Sequence, residues 1–461
     1  MEKPTQHRRR IVFLNRSYWP DIEATGQLLT DLCKGLASQY DVHVVCGQPN
    51  FPEPNSRFMR SGVEVRSGVT LHRLNHRQAN KKNPFSRIAS MISFYRAVDR
   101  YLKQSRLAAD IVISETDPFM LPLAGARHAQ RIGAQHCVYL QDIYPDVAVA
   151  IGKLRLPYSA ELIRNRLRQS YVQASKIIVL GRCMRRRLIG PTWNVPTEKI
   201  ELLSNWADCT SLQPVEHINN PFRRRHNLAD DFIVMHSGNM GLTQRLDVLI
   251  EATQDPSWPS HAKLLLVGNG ASRDRLLERA KQVDPGGYRI RFAAYQPREK
   301  LRESLSAADV HIVSMHEKVA GCLCPSKLYG IMSVGRPIIA VADSETDLCQ
   351  TVIERDLGWC VQPGSPKLLA QAVAMAEAQA NGSVEQISIS LEQQSRLRKI
   401  ARTEFDRPVI IERFAQLLGN ILIDKTSDEV HSPSTTVPAP LGSKFKTTAA
   451  IPTTNTLPTT K

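Results

Sequence analysis

A lysine lies close to the start of a predicted helix in the segment 325–330 (PSKLYG). Proline and serine are typical of helix starts, so we expect Ser326 at the N-cap position. Lys327 would then lie in the first turn, where the helix dipole disfavours a cation. A lysine at that place indicates a bound anion such as a phosphate. The alternative is a lysine that points into solvent.

Two glycine-containing turns follow predicted strands, at residues 236–241 (HSGNMG) and 267–270 (VGNG). Glycines permit a tight turn, and free amides at the start of the next helix attract an anion. Ligands of open parallel sheets bind at the carboxyl ends of the strands. We therefore expect Gly238, Asn239 and Gly241 to contact a diphosphate. A simple strand-to-helix turn is the alternative, and for the second segment it is the better one.

Two further segments follow predicted strands of the first half of the chain. Asp142 comes soon after the strand that ends at Leu140, in the segment 141–146 (QDIYPD). We expect its carboxylate to orient a substrate hydroxyl or to accept its proton. Thr25 and Gly26 follow the first strand and are predicted to lie in a flexible loop on the same side of the binding site as Asp142.

The elements that position these residues alternate between short apolar strands and helices. Strands are predicted at 11–14, 42–46, 111–114, 136–140 and 177–180, and again at 232–236, 262–267, 288–292, 310–313 and 337–341. Continuous apolar strands alternating with helices are typical of parallel sheets covered on both faces. The fold class is therefore α/β, with two Rossmann-like doubly wound parallel-sheet domains that face each other across a cleft.

The length of 461 residues also favours two domains. We place the first domain at 10–205 and the second at 206–393. A crossover helix is predicted at 394–420. The segment 426–461 is rich in Thr, Pro and Ser and poor in aromatic residues, so we expect a disordered tail.

The net charge of +16 indicates a polyanionic partner. Basic residues are frequent in 72–106 and recur at Arg182 and 185–187. The first stretch predicts an amphipathic basic helix that contacts an anionic membrane surface. A helix that faces the core with solvated charges is the alternative. We find no helix-turn-helix, zinc module or RNA-binding aromatic motif, so no specific nucleic acid is expected.

The chain has no apolar run of about 18 residues, so any membrane contact would be peripheral. Its nine cysteines form no repeated C-x-x-C pair, which argues against a zinc site. We expect reduced cysteines and a cytoplasmic protein, peripheral on the inner face of the cytoplasmic membrane.

In combination these motifs resemble glycosyltransferase family 4, whose members have the GT-B fold. The resemblance covers residues 10–418 and is closest to bacterial enzymes that build exopolysaccharide or O-antigen repeat units. Its markers are the first strand with Thr25 and Gly26, and the segments 141–146, 203–208 (LSNWAD), 237–241, 266–270, 307–310 (AADV) and 325–337.

The resemblance implies a hexosyltransferase-like enzyme that retains configuration and uses a nucleotide diphosphate sugar, with no cofactor and no metal. The donor would bind the second domain, and a polyprenyl-diphosphate-linked saccharide would bind the first. Lys327 and the amides of 238–241 would stabilise the leaving diphosphate by charge. Asp142 would act on the acceptor.

The chain departs from the family's pattern in the donor turn and beyond it. Asn239 and Gln244 occupy positions where many members have arginine and lysine, and Arg245 is adjacent. We expect these three residues to contact the donor.

The family's paired glutamates fall at Cys322 and Gly330, neither of which is acidic. We expect Glu317 to take the role of the first glutamate. Tyr295 lies in the segment that corresponds to the family's contact with the base. The frequent histidine on the acceptor side is Gln141 here.

Two other functions are compatible with the sequence. A nucleotide-sugar epimerase of similar two-domain build would need acid and base groups in the cleft. A basic binding protein without catalysis would explain the charge alone.

Overall fold

The computed structural model describes residues 8–21, 23–49, 61–78, 84–228, 231–381 and 391–430. Its strands are β1 Arg10–Leu14, β2 Asp41–Cys46, β3 Gly62–Arg66, β4 Val69–Arg73, β5 Ile111–Ser114, β6 Gln135–Leu140, β7 Lys176–Val179, β8 Ile200–Leu202, β9 Phe232–Ser237, β10 Ala262–Val267, β11 Ile290–Ala293, β12 Val310–Ser314, β13 Ile338–Val341 and β14 Gly358–Val361.

Helices lie between these strands and after them. They are α1 Ala24–Leu36, α2 Pro84–Ser105, α3 Leu121–Ile132, α4 Asp146–Ala150, α5 Pro157–Gln173, α6 Arg182–Ile189, α7 Pro221–Arg225, α8 Asp247–Ala252, α9 Arg273–Val283, α10 Leu301–Ser306, α11 Lys327–Ser333, α12 Asp347–Glu354, α13 Pro366–Asn381, α14 Leu391–Glu404 and α15 Arg407–Val430. In the described part of the chain, no helix is both long enough and apolar enough to cross a membrane.

The strands form two sheets, one in each half of the chain. The first has the order β3-β4-β2-β1-β5-β6-β7-β8, and the second has the order β11-β10-β9-β12-β13-β14. All neighbours are parallel except β3 and β4. The predicted α/β fold of two Rossmann-like sheets is therefore confirmed. Strand order reverses between β1 and β5 in the first sheet and between β9 and β12 in the second, and such switch points are where these folds bind ligands.

Buried apolar strands explain why the main elements form where the sequence predicts them. Residues 11–14 and 111–113 are completely buried, as is the segment 338–341. Such strands gain about 2 kcal/mol for each large side chain removed from water. The sequence missed β3, β4, β8 and β14. The strand β3 is exposed along its whole length, so it carries no apolar run that reading the sequence could detect.

The end of the chain crosses from the second domain to the first. Helix α14 packs on α11, whereas α15 packs on α1 and β6. In the first domain the ring of Phe414 lies 6.3 Å from that of Phe13 and 5.5 Å from that of Tyr139. A second contact is the hydroxyl of Tyr40, which donates to the carbonyl of Ala415 at 3.0 Å. The last helix is thus part of the first domain's core.

The single crossover helix predicted at 394–420 is two helices instead. The chain breaks at Phe405 and Asp406, because the backbone there pairs with Ala207 in the linker between the domains. The amide of Ala207 donates to the carbonyl of Phe405 at 3.0 Å, and the amide of Arg407 donates to the carbonyl of Ala207 at 2.9 Å. These bonds replace two that a continuous helix would make.

The predicted domain ranges 10–205 and 206–393 each contain one of the two sheets. The predicted tail at 426–461 starts inside α15, which continues to Val430. The remainder of that segment lies outside the described residues.

One pair of cysteines is bonded in the second domain. Cys349 in α12 forms a disulfide with Cys360 in β14, and the other seven cysteines are free. The expectation that every cysteine is reduced is therefore wrong for this pair.

Candidate functional site

The two domains meet along a seam formed by loops at the carboxyl ends of their strands. The amide of Ile143 donates to the carbonyl of Cys322 at 2.7 Å, and Asp142 forms an isolated antiparallel bridge with Leu323. This seam brings the two predicted catalytic residues towards one place, since Leu323 lies only four positions before Lys327.

Lys327 points back to the end of β9. Its ammonium donates a hydrogen bond to Nε2 of His236 at 2.9 Å and another to the carbonyl of Asn239 at 3.3 Å. The side chain is half-buried, and burial lowers the pKa of Lys327 to about 7. The predicted lysine is thus located at the switch point of the second sheet, where an anion can bind.

The histidine that contacts Lys327 is His236, for which the sequence predicts no role. It is completely buried, and burial together with the charge of Lys327 holds its pKa well below the usual range. Its Nδ1 lies 3.3 Å from the carbonyl of Ile312 in β12, which can only accept a hydrogen bond. The proton is therefore on Nδ1, and Nε2 is free to accept from Lys327. The signal in the sequence was a histidine in an otherwise apolar strand.

The glycines of the two turns are required by close packing of backbone on backbone. At Gly268, where φ is +134°, a Cβ atom would lie 2.0 Å from the carbonyl oxygen of Gly238. At Gly270, where φ is +154°, a Cβ would lie 2.5 Å from the carbonyl oxygen of Met240. Gly238 itself lies against the Lys327 side chain. The two turns therefore pack directly on each other, and the side chain of Lys327 lies against the first of them.

This packing corrects the expected role of the turn amides. The amide of Gly238 donates to the carbonyl of Val267 at 2.8 Å, and the amide of Met240 donates to that of Asn269 at 2.8 Å. The amide of Gly241 donates to Oε1 of Gln244 at 3.2 Å. Three of the four amides expected to bind a phosphate are thus already used, which leaves the ammonium of Lys327, beside the turn, as the main predicted contact for that anion.

Arg245 and Glu317 contact each other. Nη1 of Arg245 lies 3.2 Å from Oε1 of Glu317, and both side chains are partly exposed. The loops that carry them are joined where the amide of His316 donates to the carbonyl of Thr243 at 2.8 Å. The structure thus brings two of the predicted donor residues together beside β9 and β12.

Other predicted donor residues are placed less favourably. Tyr295 follows β11, two strands away from β9, and it is half exposed. Ser326 occupies the N-cap position of α11 as predicted, but its side chain makes no capping hydrogen bond. Its backbone is already helical there, so the hydroxyl does not reach the amides of the first turn.

The predicted flexible loop at Thr25 and Gly26 is wrong. Both residues lie in the first turn of α1, and Gly26 is buried. A Cβ at Gly26 would lie 3.2 Å from that of Ser17, so the glycine allows the helix to approach the chain after β1.

Asp142 lies beside the seam on the side of the first domain. The hydroxyl of Thr116 donates to its Oδ1 at 3.0 Å. Burial, together with the nearby charge of Asp117, raises the pKa of Asp142 to about 6, although the hydrogen bond from Thr116 opposes this. A carboxyl with such a pKa is ionised at neutral pH and can take up a proton, as a general base must.

Glu115 is a second buried carboxyl that the sequence did not single out. It follows β5 at the switch point of the first sheet and is only 1% exposed. Nε2 of Gln141 donates to its Oε1 at 3.2 Å, and no partner is recorded for Oε2 among the described residues. Burial raises its pKa well above the usual range, which favours the neutral form of the carboxyl. In the sequence, the only indication of a role for Glu115 is its position in a loop directly after a strand.

A cleft of about 670 Å³ opens between the domains. The first domain lines it with Asp146 and apolar residues of α4 and the turn after it, and with two arginines, whereas the second domain contributes Leu242 and the loop after β12. The lining residues include Val149, Ile151, Arg164, Arg187, His316 and Lys318. The cleft can hold a molecule that is partly apolar and carries negative charge.

The basic groups predicted to meet a membrane behave differently from one another. In α2, Phe94 and Val98 are buried in the core, whereas Phe85, Ile88 and Ile92 are 80%, 54% and 37% exposed. One side of the helix therefore faces the core, as the alternative predicts, and another side exposes apolar residues, as a helix that contacts a membrane would.

The second basic group contacts protein. Arg182 binds Asp347 and Glu354 of the second domain at 2.9 and 2.7 Å. Arg187 binds the buried carboxylate of Asp146 at 2.7 Å. Within the described ranges, no group of three or more His, Cys, Asp or Glu side chains could hold a metal ion.

Comparisons with known proteins agree with this geometry. Residues 24–206 match the glycosyl transferase 4-like domain, and residues 231–377 match the glycosyl transferases group 1 family. The probable glycosyltransferase WbjE of Pseudomonas aeruginosa is 26% identical over 57% of this chain, and the match spans 65% of that protein, just under two thirds.

Two further proteins are similar over most of their length. The putative colanic acid biosynthesis glycosyl transferase WcaI of Escherichia coli K12 is 25% identical over 80% of this chain and 92% of that protein. The crystal structure of Anabaena Alr3699/HepE in complex with UDP superimposes with a TM-score of 0.66 at 15% identity, over 89% of this chain and all of that one.

Proposed function

The chain belongs to the glycosyltransferases of the GT-B fold, and on that premise we propose that it transfers a sugar from a nucleotide diphosphate sugar to a lipid-linked saccharide in the synthesis of a cell-surface polysaccharide. The observation that carries the proposal is Lys327, which extends over the Gly238–Asn239 turn at the switch point of the second sheet. HepE, of similar fold, was crystallised in complex with UDP, which supports a nucleotide as a partner of this chain.

The ammonium of Lys327 acts on the leaving group. As the bond between the sugar and the diphosphate breaks, the electron pair moves to the diphosphate oxygen. A cation held beside that oxygen stabilises the developing charge without moving during the reaction. His236 holds the ammonium in place and remains neutral, so it does not compete for the anion.

The acceptor hydroxyl is handled from the first domain. Asp142 accepts or orients its proton, and its bond from Thr116 fixes the carboxylate while one oxygen stays available. The cleft of about 670 Å³ receives the acceptor, because its apolar side chains suit a lipid-linked molecule. Arg164 and Arg187 are paired with Asp146 there, and with Lys318 they leave an excess of positive charge that suits a phosphate. Retention of configuration and the absence of a metal requirement rest on the resemblance to family 4.

The exposed apolar residues of α2 support a peripheral position at the inner face of the cytoplasmic membrane. Phe85, Ile88 and Ile92 are exposed beside Arg87 and Arg96, which are exposed as well. Insertion of three such side chains and attraction to anionic lipid together give reversible binding. Sedimentation with vesicles that contain anionic lipid tests this: the triple change of the apolar residues to serine should abolish binding, and equal binding would contradict it.

Transfer itself is tested with a panel of labelled nucleotide sugars and vesicles that carry a polyprenyl-diphosphate-linked saccharide. We expect Lys327→Ala and Asp142→Asn each to lower transfer about 100-fold or more. Lys281→Ala is the matched control, because this lysine of α9 is exposed and paired only with Glu278. Chelation of metal ions should leave the rate unchanged.

Three outcomes would contradict the proposal. Transfer that is unaffected by both changes would remove these residues from the mechanism. Conversion of the free nucleotide sugar to its epimer without acceptor would favour an epimerase. Nuclear magnetic resonance of the product would show an inverted anomeric centre if the proposed retention is wrong.

A further inference from the structure

Helices α2, α3 and α5 form one layer on a single face of the first sheet. Helix α3 packs on both α2 and α5, whereas α1 packs on α15. Each of the three helices connects two strands that run in the same direction, in the order β4-α2-β5, β5-α3-β6 and β6-α4-α5-β7. A helix in such a connection runs back along the strands, so it begins at their carboxyl ends. The first turns of α2 and α5 therefore lie at the edge of the sheet where the cleft opens.

The start of α5 carries apolar side chains on its exposed side. Leu156, Tyr158 and Leu162 are 67%, 92% and 62% exposed. Tyr158 and Leu162 are four positions apart and lie on one side of the helix, and Leu156 directly precedes its first residue. The other side of α5 holds Ala160 and Leu167, which are buried. Single exposed apolar residues are common on proteins, but a group of neighbouring ones indicates an interaction surface.

Positive charge surrounds these apolar side chains. The segment 151–166 has four basic residues and one acidic residue, Glu161. Glu161 is paired with Arg164, which leaves an excess of positive charge. The three other basic residues of the segment are exposed: Lys153, Arg155 and Arg166. Apolar side chains among exposed cations, with an aromatic residue that has a polar end, fit the surface of a bilayer that contains anionic phospholipid.

We propose that residues 153–162, the α5 tip, make a second contact with the bilayer that α2 meets, and that the two contacts together turn the mouth of the cleft towards the lipid. Packed helices have axes about 8–10 Å apart, so α2 and α5, with α3 between them, lie roughly 20 Å apart. One planar surface touches both, because they belong to the same layer. Since both contacts join one bilayer, loss of either lowers the affinity of the whole protein.

The α5 tip adjoins the cleft. Residues 149–152, which directly precede it, line the cleft, and so does Arg164 of α5. Val149 is 43% exposed and continues the apolar surface from the cleft towards the tip. A lipid-linked substrate therefore enters the cleft from the bilayer along apolar side chains, without exposing its lipid chain to water. This orientation of the cleft rests on the proposed function, whereas the contact with the bilayer does not.

Sedimentation with vesicles of phosphatidylcholine and phosphatidylglycerol tests the contact. The tip variant changes three residues of the full-length protein: Leu156→Ser, Tyr158→Ser and Leu162→Ser. We expect it to bind about tenfold more weakly than the wild-type protein, or worse, because less apolar surface enters the bilayer. Its urea unfolding should be unchanged, since the three side chains are exposed. Wild-type binding by a folded tip variant would overturn the proposal.

A matched control changes three apolar residues that are 82%, 77% and 75% exposed and belong to the second half of the chain. The substitutions are Ile218→Ser, Tyr288→Ser and Leu391→Ser. This variant loses a similar amount of exposed apolar surface, and we expect it to bind vesicles as the wild-type protein does. An equal loss of binding in the control and the tip variant would show that the position of the apolar residues does not matter, and would overturn the proposal.

Photo-crosslinking identifies what the α5 tip touches. A photoreactive phenylalanine analogue in place of Tyr158 should crosslink to phospholipid in these vesicles, and the same analogue in place of Tyr288 should not. A crosslink from position 158 to a second copy of the chain, with no crosslink to lipid, would assign the surface to self-association and overturn the proposal. Analytical ultracentrifugation of the tip variant checks the same point, because its oligomeric state should equal that of the wild-type protein.

Transfer assays test the orientation of the cleft. With the acceptor embedded in vesicles, the tip variant should have a KM raised about tenfold or more, in line with its weaker binding. With the same acceptor in detergent micelles, its kcat and KM should equal those of the wild-type protein. Equal losses in both assays, or loss of vesicle binding without loss of transfer, would overturn the orientation. If the tip binds vesicles and the wild-type protein transfers no sugar, the proposed function fails and the membrane contact stands.

Discussion

Lys327 Nζ lies 2.9 Å from His236 Nε2, so a cation at the start of α11 is held by a neutral imidazole at the end of β9. The pair spans the point where strand order reverses in the second sheet. The imidazole adds no charge of its own, so the ammonium is the charged group of this pair. The proposed donor site depends on this relationship.

The pH dependence of kcat/KM should show two limits. The pKa of Lys327 is about 7, so the ammonium is present below that pH and is lost as the pH rises through it. The pKa of Asp142 is about 6, so its basic form is present above that pH and is lost as the pH falls. We expect a narrow maximum between these values, measured with the free enzyme at low donor concentration. A profile that stays flat from about pH 4 to about pH 9, roughly two units beyond each pKa, would contradict both assignments.

Gly268→Ala should damage the donor turn. The residue has φ +134°, and its new Cβ would lie 2.0 Å from the carbonyl of Gly238. We expect a loss of about 3 kcal/mol in the free energy of unfolding, together with loss of nucleotide binding. Gly287→Ala is the control, since it has φ +65° and open space around it, and it should cost about 1 kcal/mol. Urea unfolding of both variants measures the difference, and equal losses would argue against the close packing.

Glu115→Gln should leave stability nearly unchanged. The carboxyl is buried and its pKa is raised well above the usual range, which favours the neutral form, and an amide of equal size replaces it. We expect a change within about 1 kcal/mol in the free energy of unfolding at pH 7. Glu115→Ala should cost more, because it leaves Gln141 without its acceptor. A large loss in Glu115→Gln would mean that the carboxylate is charged in the fold.

Phe414→Ala should destabilise the first domain although it lies near the end of the chain. Its ring is completely buried against Phe13 and Tyr139. Removal of such a ring costs about 3–5 kcal/mol. Leu391→Ala, at an exposed position of α14, should change stability by about 0.5 kcal/mol or less. If the two variants unfold at the same urea concentration, α15 is not part of that core.

Apolar runs made the fold predictable from the sequence, whereas contacts between distant segments were not. Nine of the ten predicted strands each bury several adjacent side chains, which leaves a clear local pattern, whereas the segment 288–292 buries Ile290 alone. The break at Phe405 depends on a pairing with Ala207, almost two hundred residues earlier, and no local signal records it. The sequence predicts a loop where α1 begins, because a glycine near a strand end is typical of loops. Gly26 instead allows α1 to approach the chain after β1.

The residues of the candidate site were also predictable only where the signal in the sequence is local. Lys327 was predicted because its charge conflicts with its place at the start of a helix, a local property. His236 and Glu115 were missed because their roles come from burial and from partners on other strands. The roles of the turn amides could not be assigned either, since their acceptors lie in the neighbouring glycine turn.

The most direct test of the account is the binding of nucleoside diphosphates, measured by titration calorimetry below the pKa of Lys327. The wild-type protein and Lys281→Ala should bind one member of a panel with equal affinity. Lys327→Ala should bind it about 10- to 100-fold more weakly, because a charge-assisted contact of about 1.5–3 kcal/mol is lost. Equal affinity in all three proteins, or no binding by the wild-type protein, would contradict the claim that this lysine holds the diphosphate.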